Sequence, residues 1–440
     1  MTEKKTREVM RTDSPSLINY FKEEIPVENL MESSTGSKRV EAIDFVKGFA
    51  IIFIIMAHIA GAWLNTEWIY LYGLLLALLD ILGPSLFIFL SALSVIFSIK
   101  KKKDKVPEMI IRNQIFSRGI MIIVIGLTFN ISTAIMQNQS ILYLLWGWNI
   151  LVFIGFSQIA SYYALKTSKV FRAVLGVLVI FYSSTIRNFL YVNKDLNIIY
   201  GILHYFITSP IAHLPLLPWV SLCFISTIFG EYLYEAMQKG TTDAYIGLAR
   251  IYLIWGVIMA AFGLLSGFTL YNSYILPNSE YPHIELLGIA NSQDIIPSLR
   301  LPGMLEFLIR GRMPNMFYNL GVALIIISIS LYLVDIKKKN HNAFTKMLIY
   351  LGKISLNLFL IHHLFITFFL RFFSITFFVP IFFGYCTFLF FLMYIWMKYF
   401  NGVGTPEWLM IQIGRLGQKT EESIKKTSSK VLKIESKEKT

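Results

Sequence analysis

One stretch of this sequence sets ionisable side chains into an otherwise apolar run: Arg39-Val-Glu-Ala-Ile-Asp44-Phe-Val-Lys47-Gly-Phe-Ala-Ile-Ile-Phe-Ile-Ile-Met-Ala-His58. Lys47 and His58 are eleven positions apart, which on an α-helix is about three turns and about 16 Å with a net rotation of only about 20°. They therefore share one stripe, with Lys47 at a membrane border and His58 near mid-membrane. Asp44, three residues before Lys47, joins the stripe and can pair with it. Histidine moves protons near neutral pH because its ordinary pKa is about 6.5. An ionisable group in hydrocarbon costs about 3 kcal/mol even on lenient scales, so it normally faces a cavity or a partner and marks function. A neutral histidine bonded to a neighbouring helix carbonyl, and a lysine snorkelling to the interface, are the structural alternatives.

The elements that must hold these residues follow from composition. The 440 residues are 55% hydrophobic and only 15% charged, against roughly 25% charged in soluble domains. Apolar runs long enough to cross hydrocarbon tile residues 45–398, and about ten can be counted: 45–64, 69–99, 119–135, 141–165, 171–186, 214–234, 251–270, 316–335, 347–369 and 375–398. The expected fold is an all-α integral membrane protein, one bundle of about ten transmembrane helices. The formal charge of +13 sits in short clusters such as Lys100 to Lys103 and Lys337 to Lys339. Clusters beside spans follow the positive-inside rule, so they point to a cytoplasmic face and away from nucleic acid, and put both termini inside. Residues 1–38 lack an apolar core and a cleavage site, so they read as a cytoplasmic tail rather than a signal peptide. Residues 39–409 form the membrane domain, and 410–440 a second charged tail. Cys223 and Cys386 lie in separate spans without metal-ligand spacing, and no metal site is expected. Gly83-Pro84 should kink the second span, with Asp80 one turn before it.

At these residues the chain resembles a family. Lys47-x10-His58 is similar to the basic-x10-His signature of the acyltransferase-3 membrane enzymes. The wider run Arg39-x4-Asp44-x2-Lys47-Gly48 looks more like the heparan-alpha-glucosaminide N-acetyltransferase catalytic domain; the two groups form the transmembrane acyltransferase superfamily. Gly83-Pro84-Ser-Leu-Phe-Ile-Phe-Leu-Ser91, Leu217-Pro218-Trp219, Gly352-Lys-Ile-Ser355-x6-His362 and Gly404-Thr-Pro406-Glu407-Trp408 follow in the family's order. Lysine stands where arginine is commoner, which loses the bidentate fork for phosphate and keeps the charge.

The resemblance implies a multi-pass cell-membrane enzyme moving an acyl group, acetyl foremost, from cytoplasmic acyl-CoA to an extracytoplasmic glycan or lipid-linked sugar. Acetyl-CoA would be a co-substrate, with no tightly bound cofactor, and a homo-oligomer stays open. His58 would be the base or an acyl carrier, with Asp44 and His362 completing the catalytic group. Lys47, Arg39, Ser91, Ser355 and Asn357 would meet the donor, Ser91, Asn149 and Asn357 being candidate donors to the oxyanion. Glu306, Arg310 and Arg312, charges set among Leu, Met and Phe, and Trp219 are the candidates for acceptor binding. The rival reading is a transporter or lipid flippase without covalent chemistry. Carriers usually show repeated halves and matching broken helices, and here only Gly83-Pro84 breaks a span clearly.

Overall fold

The computed structural model describes residues 40–65, 73–102, 107–136, 140–208, 214–271, 280–281, 303–337, 341–405 and 408. The helices that position the site are α1 Glu41–Trp63, α2 Pro84–Lys102, α3 Glu108–Met136, α4 Ile150–Ala164, α5 Lys169–Asn193, α6 Ile198–Thr208, α7 Ser221–Lys239, α8 Thr242–Ser266, α9 Met313–Ser330, α10 Ala343–Lys353, α11 Ser355–Ile361 and α12 Ile375–Tyr399. A two-stranded antiparallel ribbon pairs β1 Leu270–Tyr271 with β2 Met304–Leu305. Local chemistry sets several boundaries. Ser168, Thr241 and Asn342 accept backbone N–H bonds at the starts of α5, α8 and α10, and Gly240 ends α7 in the left-handed region, where a Cβ would be strained.

Among the described residues, seven helices are long and apolar enough to cross a membrane, or eight if α10 and α11, bent by 74°, count as one span. Two of the remaining expected segments carry shorter apolar helices, at Pro84–Phe97 and Ile150–Ala164. The difference from an even set of ten straight spans has local causes. Proline cannot donate into the preceding turn, and the chain passes from a 3-10 turn at Asp80–Leu82 through Gly83 before α2 starts at Pro84. Asn149 likewise opens α4 afresh after the turn 145–146. The protein is a multi-pass membrane protein.

The polypeptide fixes which helix ends share a face. Residues just before α12 lie along the end of α1, with Arg371 N donating to Ala62 O (2.8 Å) and Phe373 N to Trp63 O (2.9 Å). At 1.5 Å per residue, α12 then runs about 37 Å back, so Tyr399 lies toward the Glu41 face. That face also gathers Lys100 and Arg172 on Glu231, at 3.4 and 2.9 Å, and Lys166 on Glu108 at 2.8 Å. The Glu108 carboxylate holds the Lys166 ammonium above its ordinary range.

The first helix is anchored from far along the chain. Val40 offers no side-chain cap, and the Asp335 carboxylate instead accepts from Ala42 N at 2.9 Å and Glu41 N at 3.3 Å. Below His58, α10 lies directly on α1. A Cβ on Gly48 would stand 1.9 Å from Leu348 O, and one on Gly352 would stand 1.8 Å from Asp44 O. Small residues at a membrane helix crossing let backbones approach closely. Gly352→Ala must therefore push the helices apart, and we expect loss of at least about 1–3 kcal/mol, the usual overpacking cost. Thermal melting of the purified variant in detergent should show a lower transition, and an unchanged melting curve would contradict the crossing.

Candidate active site

His58 lies in the last third of α1, on a turn that α10 does not cover. Opposite it, α11 runs into a 3-10 turn over His362–Phe369, which brings two more imidazoles to the same place. His58 Nδ1 is 2.9 Å from His362 Nε2, and the two rings lie edge to edge with centroids 5.2 Å apart and planes 12° from parallel. His363 meets the His58 ring edge-on at 4.8 Å.

The backbone determines which nitrogen holds each proton. A carbonyl only accepts, so His362 Nδ1, 3.0 Å from Leu358 O, must be its N–H. Neutral His362 then has its lone pair on Nε2 and can only accept from His58 Nδ1–H. That leaves the His58 lone pair on Nε2, on the ring's other edge. His363 Nδ1, 3.2 Å from Phe359 O, is an N–H by the same reasoning. Tyr385 adds support by donating to His362 O at 2.6 Å.

His58 and His363 line a cavity of about 430 Å³. Phe53, Ile54 and Ala57 of α1 form one wall; Phe129 and Asn130 of α3 with Trp148 and Asn149 form another; Phe359, Leu214, Asp80 and Arg310 close it. Asp80 is 3% exposed and holds Arg310 in a two-point pair, with Nε to Oδ2 at 3.1 Å and Nη2 to Oδ1. A buried carboxylate tolerates this depth because a guanidinium neutralises it and fills both oxygens. Asn149 belongs to the scaffold. Its Oδ1 accepts from Leu151 N and Val152 N, while its amide donates to Gly126 O and Asn130 Oδ1, each at 2.7 Å. Both amide hydrogens are engaged, so an oxyanion could take one only by breaking that bond.

The other candidates are placed as follows. Arg39 lies outside the described residues. Asp44 is buried and Lys47 half-buried on the part of α1 that α10 packs against, and neither lines the cavity. Ser91 accepts a 3.4 Å bond from Gln158, also away from the cavity. Ser355 is buried at the bend between α10 and α11. Asn357 lines a second space described below. Glu306 pairs with Arg312, whose Nε donates to it at 2.8 Å and which also reaches Tyr271 OH; these residues tie the β ribbon and do not line the cavity. Trp219 is fully buried, and its indole N–H has no hydrogen-bond partner among the described residues.

Asp80, named above beside the Gly83-Pro84 kink, lines the cavity together with His363 and Asn130, while Arg187 is buried against Glu280 at 3.5 Å, with Tyr281 over its guanidinium at 4.6 Å. The available signal was polarity inside apolar segments, which Asp80, Asn130 and His363 all show.

A family model described as heparan-alpha-glucosaminide N-acetyltransferase, catalytic, matches residues 39–271. The match takes in His58, Asp80, Asn130 and Asn149, and ends before Arg310, His362 and His363. No curated protein and no solved structure matches the chain. A match over more than half of the sequence, together with a largely apolar cavity that holds His58, His363, Asp80 and Arg310 inside a membrane helix bundle, places this protein among the membrane acetyltransferases: it belongs to the heparan-alpha-glucosaminide N-acetyltransferase catalytic family.

Proposed function

We propose that this protein transfers an acetyl group from cytoplasmic acetyl-CoA to an amine or hydroxyl of an extracytoplasmic glycan or lipid-linked sugar, with His58 as the general base. The observation that carries the reading is the proton order Leu358 O, His362, His58, which leaves a basic Nε2 on a histidine that lines the 430 Å³ cavity. In the step proposed, the acceptor N–H or O–H gives its proton to His58 Nε2 while its heteroatom bonds to the thioester carbonyl carbon. The C–S bond then breaks, and the proton on His58 passes to the leaving thiolate, giving the acetylated acceptor and free CoA. His362 is a positioning residue: it holds the His58 tautomer and accepts from the imidazolium as charge develops. Arg310, the guanidinium lining the cavity, faces the charge that forms on the carbonyl oxygen, and Asp80 keeps it aimed inward.

One wall residue suits a sugar-sized acceptor, Trp148, which brings an aromatic ring to the cavity; Asn130, whose amide donates to Leu145 O and Gly147 O and whose Oδ1 accepts from Asn149, holds that wall in place. Glu306, Arg312 and Trp219 support the acceptor side from behind the wall. Lys47, Arg39 and Asp44 belong to the cytoplasmic approach, where the basic charge meets the donor's phosphates. The direct test supplies radiolabelled acetyl-CoA to protein in sealed vesicles, with amino-sugar and hydroxyl-only acceptors on the opposite face. Label should appear on the acceptor, and the two acceptor types decide between N- and O-transfer. Failure with both, under conditions where the protein is folded, would overturn the reading.

The three imidazoles have ligand atoms within 4.8 Å of one another, a spacing that a divalent cation can bridge. A cation there would occupy lone pairs the base needs. Added Zn²⁺ is therefore expected to inhibit transfer, and chelation to leave it unchanged; loss of activity on chelation would instead make the reaction metal-dependent.

A further inference from the structure

A second cleft, about 350 Å³, lies between α3, α11 and α12 and is lined by Ile125, Thr128, Phe129, Asn357, Met393, Trp396 and Thr405. Phe129 also lines the His58 cavity, so a single side chain borders both spaces. Its ring meets His363 edge-on at 4.6 Å and lies 6.1 Å from Phe359. The remaining division is the turn of α11 itself, with Asn357 facing the cleft and Phe359 and His363 facing the cavity. The two spaces lie toward different ends of α1. Met393, Trp396 and Thr405 lie near the end of α12 that returns to the Glu41 face, whereas Asp80 and Arg310 lie near the Trp63 end of α1.

We propose that this cleft, rather than the covered inner half of α1, takes the pantetheine arm of the acyl donor, and that Phe129 is the partition across which only a short acyl group reaches His58. The part concerning the donor rests on the acetyl-transfer reading above; the partition itself does not. The chemistry matches: a slender neutral arm needs an apolar slot, which Ile125, Met393 and Trp396 supply, and the Thr128 hydroxyl, whose hydrogen goes to Val124 O and Ile125 O of its own helix, can still accept from an amide N–H of the arm. In this arrangement a thioester held in the cleft meets the base only when Phe129 turns aside, and a longer acyl chain collides with its ring.

Two measurements test this on the full chain with the buried Cys223 and Cys386 replaced by Ser. First, Ala57→Cys on the cavity wall is treated in sealed vesicles with a membrane-impermeant thiol reagent from either side. With Phe129 present, labelling should occur from the extracytoplasmic side alone; with Phe129→Ala it should occur from both. Labelling from both sides with Phe129 intact, or from one side alone without it, overturns the partition. If Phe129→Ala does not fold, Phe129→Leu carries the same expectations. Second, acetyl-CoA and hexanoyl-CoA are compared as donors. Phe129→Ala should raise the hexanoyl-to-acetyl ratio of kcat/KM by at least about tenfold, the lower end of what one methylene is worth in an apolar pocket, and should raise acceptor-independent thioester hydrolysis. An unchanged ratio overturns the assignment of the cleft to the donor. If the unmutated protein transfers no acetyl group at all, the acetyl-transfer reading falls and the donor assignment falls with it, while the labelling still decides the partition.

Discussion

His58→Ala is expected to lower acetyl transfer by about 10²–10⁴-fold, the usual contribution of a positioned general base, equivalent to about 3–5 kcal/mol of barrier. The loss should appear in kcat, because the base acts as the acceptor's proton moves and contributes little to holding either substrate. His58 lies on the cavity side of α1, so its removal leaves the α1–α10 crossing intact and the protein should melt normally. His362→Ala separates base from positioner. Nδ1 of His58 then loses its acceptor, both tautomers become available, and the rate should fall by less than in His58→Ala, with a changed pH profile of kcat. His58→Ala at wild-type rates, measured as acetyl transfer per folded protein, would remove His58 from the mechanism.

The Asp80–Arg310 pair should give the largest stability effect. Arg310→Ala leaves the Asp80 carboxylate buried without its counter-charge, and breaking a buried pair in this way costs about 3–5 kcal/mol. Asp80→Ala strands the guanidinium, whose side chain is more open to the cavity at 19% against 3%, so its cost should be smaller. The double variant, which buries neither charge, should be more stable than the sum of the two losses predicts, by a coupling of about 0.5–3 kcal/mol. Melting temperatures of the four proteins in one detergent close this cycle; additive losses would show that the two groups do not depend on each other. Transfer activity should stay low in the double variant even where stability returns, because the cavity then lacks the guanidinium that meets the carbonyl oxygen.

Much of this protein is written locally. Apolar length sets the membrane helices, because hydrocarbon demands satisfied backbone groups and a crossing of fixed thickness. Gly83-Pro84 predicts the interruption that appears as the 3-10 turn before α2. Helical period alone places His58 and Lys47 on one stripe, since rise and twist per residue are constants. What period cannot tell is what covers that stripe. Gly48 and Gly352 let α10 lie against the inner half of α1, so Lys47 and His58 have different surroundings despite sharing a face.

Pairing over long separations was left to the tertiary structure. His58 and His362 are 304 positions apart, and Asp80 and Arg310 are 230 apart. Taken singly, each is a costly group in an apolar segment, and nothing within a few turns shows whether it will meet a partner, water or lipid. Only the packing of α11 against α1, and of the turn before α9 against the turn before α2, turns four costly groups into a hydrogen-bonded pair and an ion pair around one cavity. The sequence by itself determined that His58 must sit inside the membrane on an ordered helix. The tertiary structure decided that it has a partner that orders its protons, because a hydrogen bond depends on distance and angle between atoms that the chain brings together only once it has folded.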